Sequence, residues 1–167
     1  MLWKGAAMKY PLSIVKEGDG TITVTCPDFD EIRATADTFE QALACVELAV
    51  ADIIAERLQA FADIPVPTKA NGPCALVPLA LDIKVQLLWT LKQAGLTRAD
   101  LARLTGWPRT KVDRLFYPHH QAKLAHFEDA FAALNKTVIL RLESVPQFRP
   151  QATEELLPPT LRGRSKS

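Results

Sequence analysis

The spacing of apolar residues divides the 167-residue chain into an alternating stretch, a long helical stretch, a proline-rich break and a second helical stretch. Through residues 8–17, Tyr10, Leu12 and Ile14 share one side at period two. Pro11 brings no ladder donor, so it belongs on an edge strand or at a non-bonding position. Gly18-Asp19-Gly20 turns the chain, and residues 21–26 alternate again, with Ile22, Val24 and Cys26 inward and Thr21, Thr23 and Thr25 outward. Two such runs around a glycine turn predict a β-hairpin. Pro27-Asp28-Phe29-Asp30 breaks the second strand, and a short third strand is expected over 32–36. Thr38 and Gln41 have the three-residue spacing of a capping box. The helix they open runs to about Gln59, with Leu43, Val46, Val50, Ile53, Ile54 and the stem of Arg57 as its buried stripe.

Residues 64–80 then carry Pro65, Pro67, Pro73, Pro78 and Asn71-Gly72, which predict a linker with a short edge strand at 75–77 and a domain boundary near 79. Asp82 is placed to cap a helix over 83–94 whose stripe is Ile83, Leu87, Leu88 and Leu91, stopped by Gly95. The next 21 residues, Thr97 to Tyr117, read as two short helices about a tight turn. Thr97 is a good N-cap, Gly106 supplies a left-handed stop, and Pro108 opens a second helix, from Pro108 to Tyr117, whose Val112, Leu115 and Phe116 face inward. A further helix is expected over 124–134. A β-rich run, Thr137 to Leu142, follows without an obvious partner in its own domain, and such an edge invites a second copy of the chain.

The fold class this predicts is α+β. A three- to four-stranded antiparallel sheet with a packed helix occupies 1–79. An all-α helix-turn-helix domain ending in a strand occupies 80–143, and 144–167 reads as a disordered tail. Residues 1–7, ahead of Met8, read as an upstream start or a dispensable extension.

Charge sharpens the division. Four basic residues face eleven acidic ones between Lys9 and Asp63, a net of −7, whereas eight basic residues face three acidic ones between Asp82 and His126, a net of +5. The overall charge of +1 conceals this. An acidic half suits a basic partner and a basic half suits a polyanion. The three cysteines, Cys26, Cys45 and Cys74, are scattered without metal-ligand spacing, so reduced thiols are expected and neither a metal nor another cofactor is implied. With no apolar run of membrane-spanning length and no signal-peptide core, the expected location is the cytoplasm.

The basic helix pair carries the chemistry. A second helix that enters the major groove presents its first turn to base edges. Arg109, Thr110 and Lys111 are therefore the leading base-reading candidates, followed by Arg114, with Arg98 placed for a phosphate. Nuclease chemistry is not supported, because a two-metal site needs carboxylates converging from strand centres. None lies between Tyr10 and Val15 or between Thr21 and Cys26. No nucleophile stands beside a general base either, so no catalytic residue is assigned and the protein reads as a non-enzyme.

Several of these segments together resemble the HicB family of antitoxins. They are the strand Tyr10–Val15, the Asp19-Gly20 turn, Cys26-Pro27-Asp28-Phe29, the helix start Asp37-Thr38-Phe39-Glu40-Gln41-Ala42-Leu43 and the helix pair. The runs Leu115-Phe116-Tyr117-Pro118-His119-His120 and Ala133-Leu134-Asn135-Lys136 complete the likeness, which spans roughly residues 8–143. The family commonly has Pro-Asp-Leu-Pro-Gly-Cys after the second strand, where this chain has Pro27-Asp28-Phe29-Asp30-Glu31-Ile32. The resemblance implies an N-terminal domain like a degraded ribonuclease H fold that binds a small, basic, mRNA-cleaving toxin, HicA. It also implies a C-terminal domain that binds double-stranded operator DNA, the complex repressing its own operon; the unpaired run 137–142 adds the expectation of a homodimer or higher even oligomer. Under that reading Asp28, Phe29, Asp30 and Glu31 are the candidate toxin contacts, with Phe29 equally suited to plugging the sheet's core. The competing reading is a stand-alone helix-turn-helix repressor whose N-terminal half dimerises or senses a ligand.

Overall fold

The computed structural model describes residues 8–69 and 72–142. The expectations for residues 1–7 and for the tail 144–167 lie outside this range. Ten elements follow in order: β1 (Lys9–Pro11), β2 (Ser13–Lys16), β3 (Ile22–Cys26), β4 (Phe29–Ala36), α1 (Phe39–Gln59), β5 (Cys74–Leu76), α2 (Leu79–Gln93), α3 (Arg98–Thr105), α4 (Arg109–Leu115) and α5 (Leu124–Ala133). Among the described residues, small antiparallel sheets and five helices make the fold α+β.

The first alternating run is split where the sequence reads as continuous. β1 pairs with β5, β2 pairs with β3, and Leu12 sits between them with its N–H donating to the Pro73 carbonyl at 3.0 Å. Pro11 is thus accommodated at the end of a three-residue strand. The split undoes the single inward face: Tyr10 and Leu12 are buried, but Ile14 is exposed on the β2 edge. β3 is central, between β2 and β4. Asp19 closes the hairpin by accepting from the Thr21 N–H and hydroxyl at 2.9 and 2.7 Å, bonds that hold its carboxyl below the usual range. Val24 and Cys26 point inward as expected. Thr23, expected outward, is buried, and its hydroxyl meets that of Thr35 on β4 at 3.0 Å and needs no water.

The break after β3 is shorter than the proline and two aspartates suggest. Cys26 pairs directly with Phe29 across a register shift, so β4 begins at Phe29 instead of Ile32. Thr38 caps α1 by accepting from the Gln41 N–H at 3.3 Å. α1 lies across β3 and β4 and buries Ala42, Val46, Val50, Ile54 and Leu58, with Leu43 and Ile53 partly buried beside them.

α2 starts at Leu79, four residues earlier than expected, so Asp82 lies inside its first turn and is not the cap. Its carboxylate accepts from the Met8 N–H at 3.2 Å and from Gln86 Nε2 at 3.1 Å, which ties the first strand to the second half. Burial pushes that carboxyl above its ordinary pKa. Trp89 Nε1–H donates to the Ile64 carbonyl at 2.9 Å. Buried side chains on both sides of residue 79 form one continuous cluster.

The run 137–142 makes no strand pairing among the described residues, contrary to the expected strand. A strand needs a neighbouring edge, and among the described residues none pairs with this segment. Val138, Ile139, Leu140 and Leu142 are left exposed.

Candidate nucleic-acid interface on the second helix pair

Local signals build the helix pair. Thr97 and Asp100 form a reciprocal capping box: the Asp100 N–H donates to Thr97 Oγ1 at 3.2 Å and the Thr97 N–H donates to Asp100 Oδ2 at 2.8 Å. These bonds hold the Asp100 carboxyl below the usual range. Gly106 ends α3 with φ of +69°, a backbone that a residue without Cβ adopts at little cost. Pro108 is the N-cap of α4 and not its first residue, and α4 stops at Leu115, so the second helix is shorter than the sequence suggests. Leu101, Val112, Leu115 and Phe116 are buried and hold the two helices together.

On the outer surface of α4, Arg109, Thr110 and Arg114 are exposed and Lys111 is partly so. Two of these cations are held by neighbours. Arg109 Nε donates to Asp113 Oδ1 at 3.0 Å, while half of the Arg109 side chain, 50%, stays exposed. The Lys111 ammonium sits 3.6 Å from the centroid of the Trp107 ring, whose edge also meets the His126 ring at 5.7 Å.

Arg98 is placed differently from the open phosphate contact expected of it. Its guanidinium stacks 5.1 Å from Phe61 and 5.9 Å from Phe116 and pairs with Asp113 at 3.4 Å, and only 23% of the side chain is exposed. Phe61 follows α1 with a left-handed φ of +54° and meets Phe116 edge-on at 5.6 Å. Arg98 is therefore packed at the joint between the two halves. The N-terminus of α3 is also occupied by the Asp100 carboxylate, which disfavours a phosphate there.

A residue that sequence reasoning counted only as one more positive charge turns out to organise this region. Lys84, buried on α2, donates from Nζ to the carbonyls of Tyr117, Pro118 and His120 at 2.7, 2.8 and 2.9 Å. It satisfies the backbone leaving α4, and burial lowers its pKa from the ordinary value. Nothing in its sequence neighbourhood marks it. Asp113 stands four residues from Arg109, a spacing that brings helix neighbours together, whereas Trp107 lies ahead of the α4 cap and no helical spacing marks it as the partner of Lys111.

In the acidic half the four candidate contacts separate. Phe29 is only 1% exposed; its ring packs edge-on against Tyr10 at 4.7 Å and lies under Arg57 at 5.2 Å. Its ring is a core plug, not a presented surface. Asp28 accepts from the Thr68 N–H and hydroxyl at 3.0 and 3.3 Å, which pins the loop that follows α1. Glu31 pairs with Arg57 at 2.5 Å, and Asp30 is exposed. Among the described residues no group of three or more His, Cys, Asp or Glu side chains is arranged to hold a metal ion, and no helix is long and apolar enough to cross a membrane.

Comparison with known proteins places this architecture. Residues 9–87 match a family model described as the HicB-like antitoxin of bacterial toxin-antitoxin system. Antitoxin HicB of Pseudomonas fluorescens (strain Pf0-1) is 30% identical over 149 residues, 84% of this chain and 99% of its own. Antitoxin HicB of Escherichia coli (strain K12) is 29% identical over 135 residues, 80% of this chain and 98% of its own. Antitoxin HicB 2 of Photorhabdus laumondii is 30% identical over 129 residues, 77% of this chain and 92% of its own. The family model ends within α2, but the relatives run on through the basic helices; with near-complete coverage of their length at this identity, the chain belongs to the HicB family of antitoxins.

Proposed function

We propose that the protein neutralises a small, basic, HicA-like mRNA-cleaving toxin through its acidic half and represses its own operon through α3 and α4. It acts in the cytoplasm, without catalysis or a cofactor of its own. The observation that carries the DNA-binding part is the exposed cationic surface of α4, with Arg109, Thr110 and Arg114 turned outward over a buried Val112 and Leu115. In this reading α4 enters the major groove with Arg109, Thr110 and Lys111 nearest the bases and Arg114 behind them. Arg98 acts through the joint it packs into.

The acidic half occupies the toxin's RNA-holding surface. Charge speeds the encounter and selects the partner, and apolar contacts retain it. Asp30, exposed at the start of β4, supplies charge beside the β3–β4 turn, Glu31 next to it is paired with Arg57, Asp28 fixes the loop behind the turn, and Phe29 anchors it from inside. The exposed run Val138–Leu142 pairs with the same run of a second copy, giving a homodimer that reads two half-sites about one helical turn apart.

Anisotropy titrations of the full chain against duplex from upstream of its operon test the DNA arm. Arg109→Ala should cost about 1–3 kcal/mol on that duplex, the worth of one bidentate guanine contact. An equal loss on scrambled duplex would reduce Arg109 to a phosphate contact. Pull-down of the full chain should bring with it one short basic protein encoded beside it. Recovery of none would favour the stand-alone repressor. Light scattering at micromolar concentration should show an even oligomer; a monomer would remove the pairing of 138–142.

A further inference from the structure

Asp113 is the one acidic residue of α4, in a helix otherwise built to be cationic. A carboxylate facing a polyanion opposes binding, so its place among Arg109, Lys111 and Arg114 calls for a compensating role. Its Oδ1 receives Arg109 Nε at 3.0 Å from one side and lies 3.4 Å from Arg98 Nη1 on the other. Its side chain is 24% exposed, whereas Arg109 projects. Exposed ion pairs one helical turn apart are ordinarily loose. This one is fixed from behind, because Arg98 is itself packed over Phe61 and Phe116.

The chemistry of the fork matters here. A guanidinium has five N–H groups, and the Nε–H given to Asp113 leaves both terminal nitrogens free. Those two nitrogens span O6 and N7 of a guanine. An untethered arginine at this place can swing to either flanking phosphate, which carries no sequence information. A tethered one has lost that option and has its rotamers ordered before DNA arrives.

We infer that Asp113 is a specificity-determining positioning residue: it aims the Arg109 fork at a base and lowers affinity for arbitrary duplex. The inference rests on the DNA-binding reading above and adds what selects the base. Its signature is a pair of opposite signs. Removing the carboxylate should strengthen binding to unrelated DNA, by relieving repulsion, and weaken discrimination, by freeing Arg109.

The test uses the full chain, the duplex from upstream of its operon, a scrambled duplex of the same composition, and a series of single base-pair substitutions. Asp113→Asn should lower the ratio of specific to scrambled affinity by about tenfold, the scale of one bidentate contact. The loss should be confined to one guanine, the position at which Arg109→Ala also loses its preference. The double variant Arg109→Ala/Asp113→Asn should lose little beyond Arg109→Ala alone, as coupled residues do. Arg109→Lys keeps the cation but has no fork, so it should lose the same position with Asp113 in place. Glu128→Gln removes an exposed carboxylate on α5, a different helix, and should leave the ratio unchanged.

If the wild-type chain does not distinguish its own duplex from the scrambled one, the DNA-reading assignment fails and this inference with it. If the wild type discriminates but Asp113→Asn keeps the ratio, spreads the loss over many positions, or does no more than Glu128→Gln, the assignment stands and the role of Asp113 is overturned.

Discussion

Each half of the molecule lays a cation over an aromatic ring, and the two pairs come to different ends. In the acidic half, Arg57 covers Phe29, which is buried against Tyr10, and Glu31 neutralises the guanidinium. In the basic half, Lys111 covers Trp107, a partly buried ring whose further neighbour is His126. The first arrangement consumes its charge in holding the fold. The second keeps positive charge at the surface and limits only where it points. The same elementary contact, worth little when exposed and more when desolvated, thus serves cohesion in one place and presentation in the other.

The sharpest way to break this contrast is to remove the rings. Phe29→Ala should destabilise the chain by about 3–5 kcal/mol, as loss of a buried phenyl group does. Trp107→Ala, at a partly open site, should cost less than half of that in the same denaturant titration while weakening duplex binding. Equal losses of stability would erase the distinction. The next effect concerns a cation that belongs to neither surface. Lys84→Met leaves three carbonyls without their charged donor and should cost about 2–3 kcal/mol, whereas Lys136→Met, at an exposed site, should stay within about 0.5 kcal/mol. A similar small change at both would mean the three bonds are dispensable.

The smallest effect is in pH dependence, at the tie between the halves. Burial raises the Asp82 carboxyl in the folded chain. The folded state therefore takes up a proton there before the unfolded chain does, and this group adds stability as pH falls through its raised value toward the unfolded one. Asp82→Asn should be the more stable form at neutral pH, with an advantage that shrinks on acidification. Chemical denaturation of the two proteins across acid pH measures it, and an advantage that grows as pH falls would reverse the assignment.

What was legible in the residues follows from the range over which each signal acts. Thr38, Thr97 and Gly106 work within one turn of their own helix, and each sits where its chemistry places it. The hairpin was equally plain, since alternation and a glycine turn are local. Leu12 was not, because the strand changes partner there and the partner, β5, lies some sixty residues on. Arg98 was misplaced, and Phe29 stayed open between contact and core, for a related reason. A phenylalanine between two aspartates and an arginine beginning a helix both look exposed until Tyr10 and Arg57, or Phe61 and Phe116, arrive from elsewhere. At the candidate interface the outward cations of α4 could be read from periodicity, but the contacts that Asp113 and Trp107 make with them could not.

The three bonds from Lys84 bear on how α3 and α4 could be transplanted. A segment cut at Thr97, where the paired helices begin, would carry its cap, its glycine and its cations, yet arrive on a new scaffold with the exit from α4 unsupported. The smallest portable cassette therefore starts at Leu79, so that the helix bearing the ammonium travels with the loop it fastens.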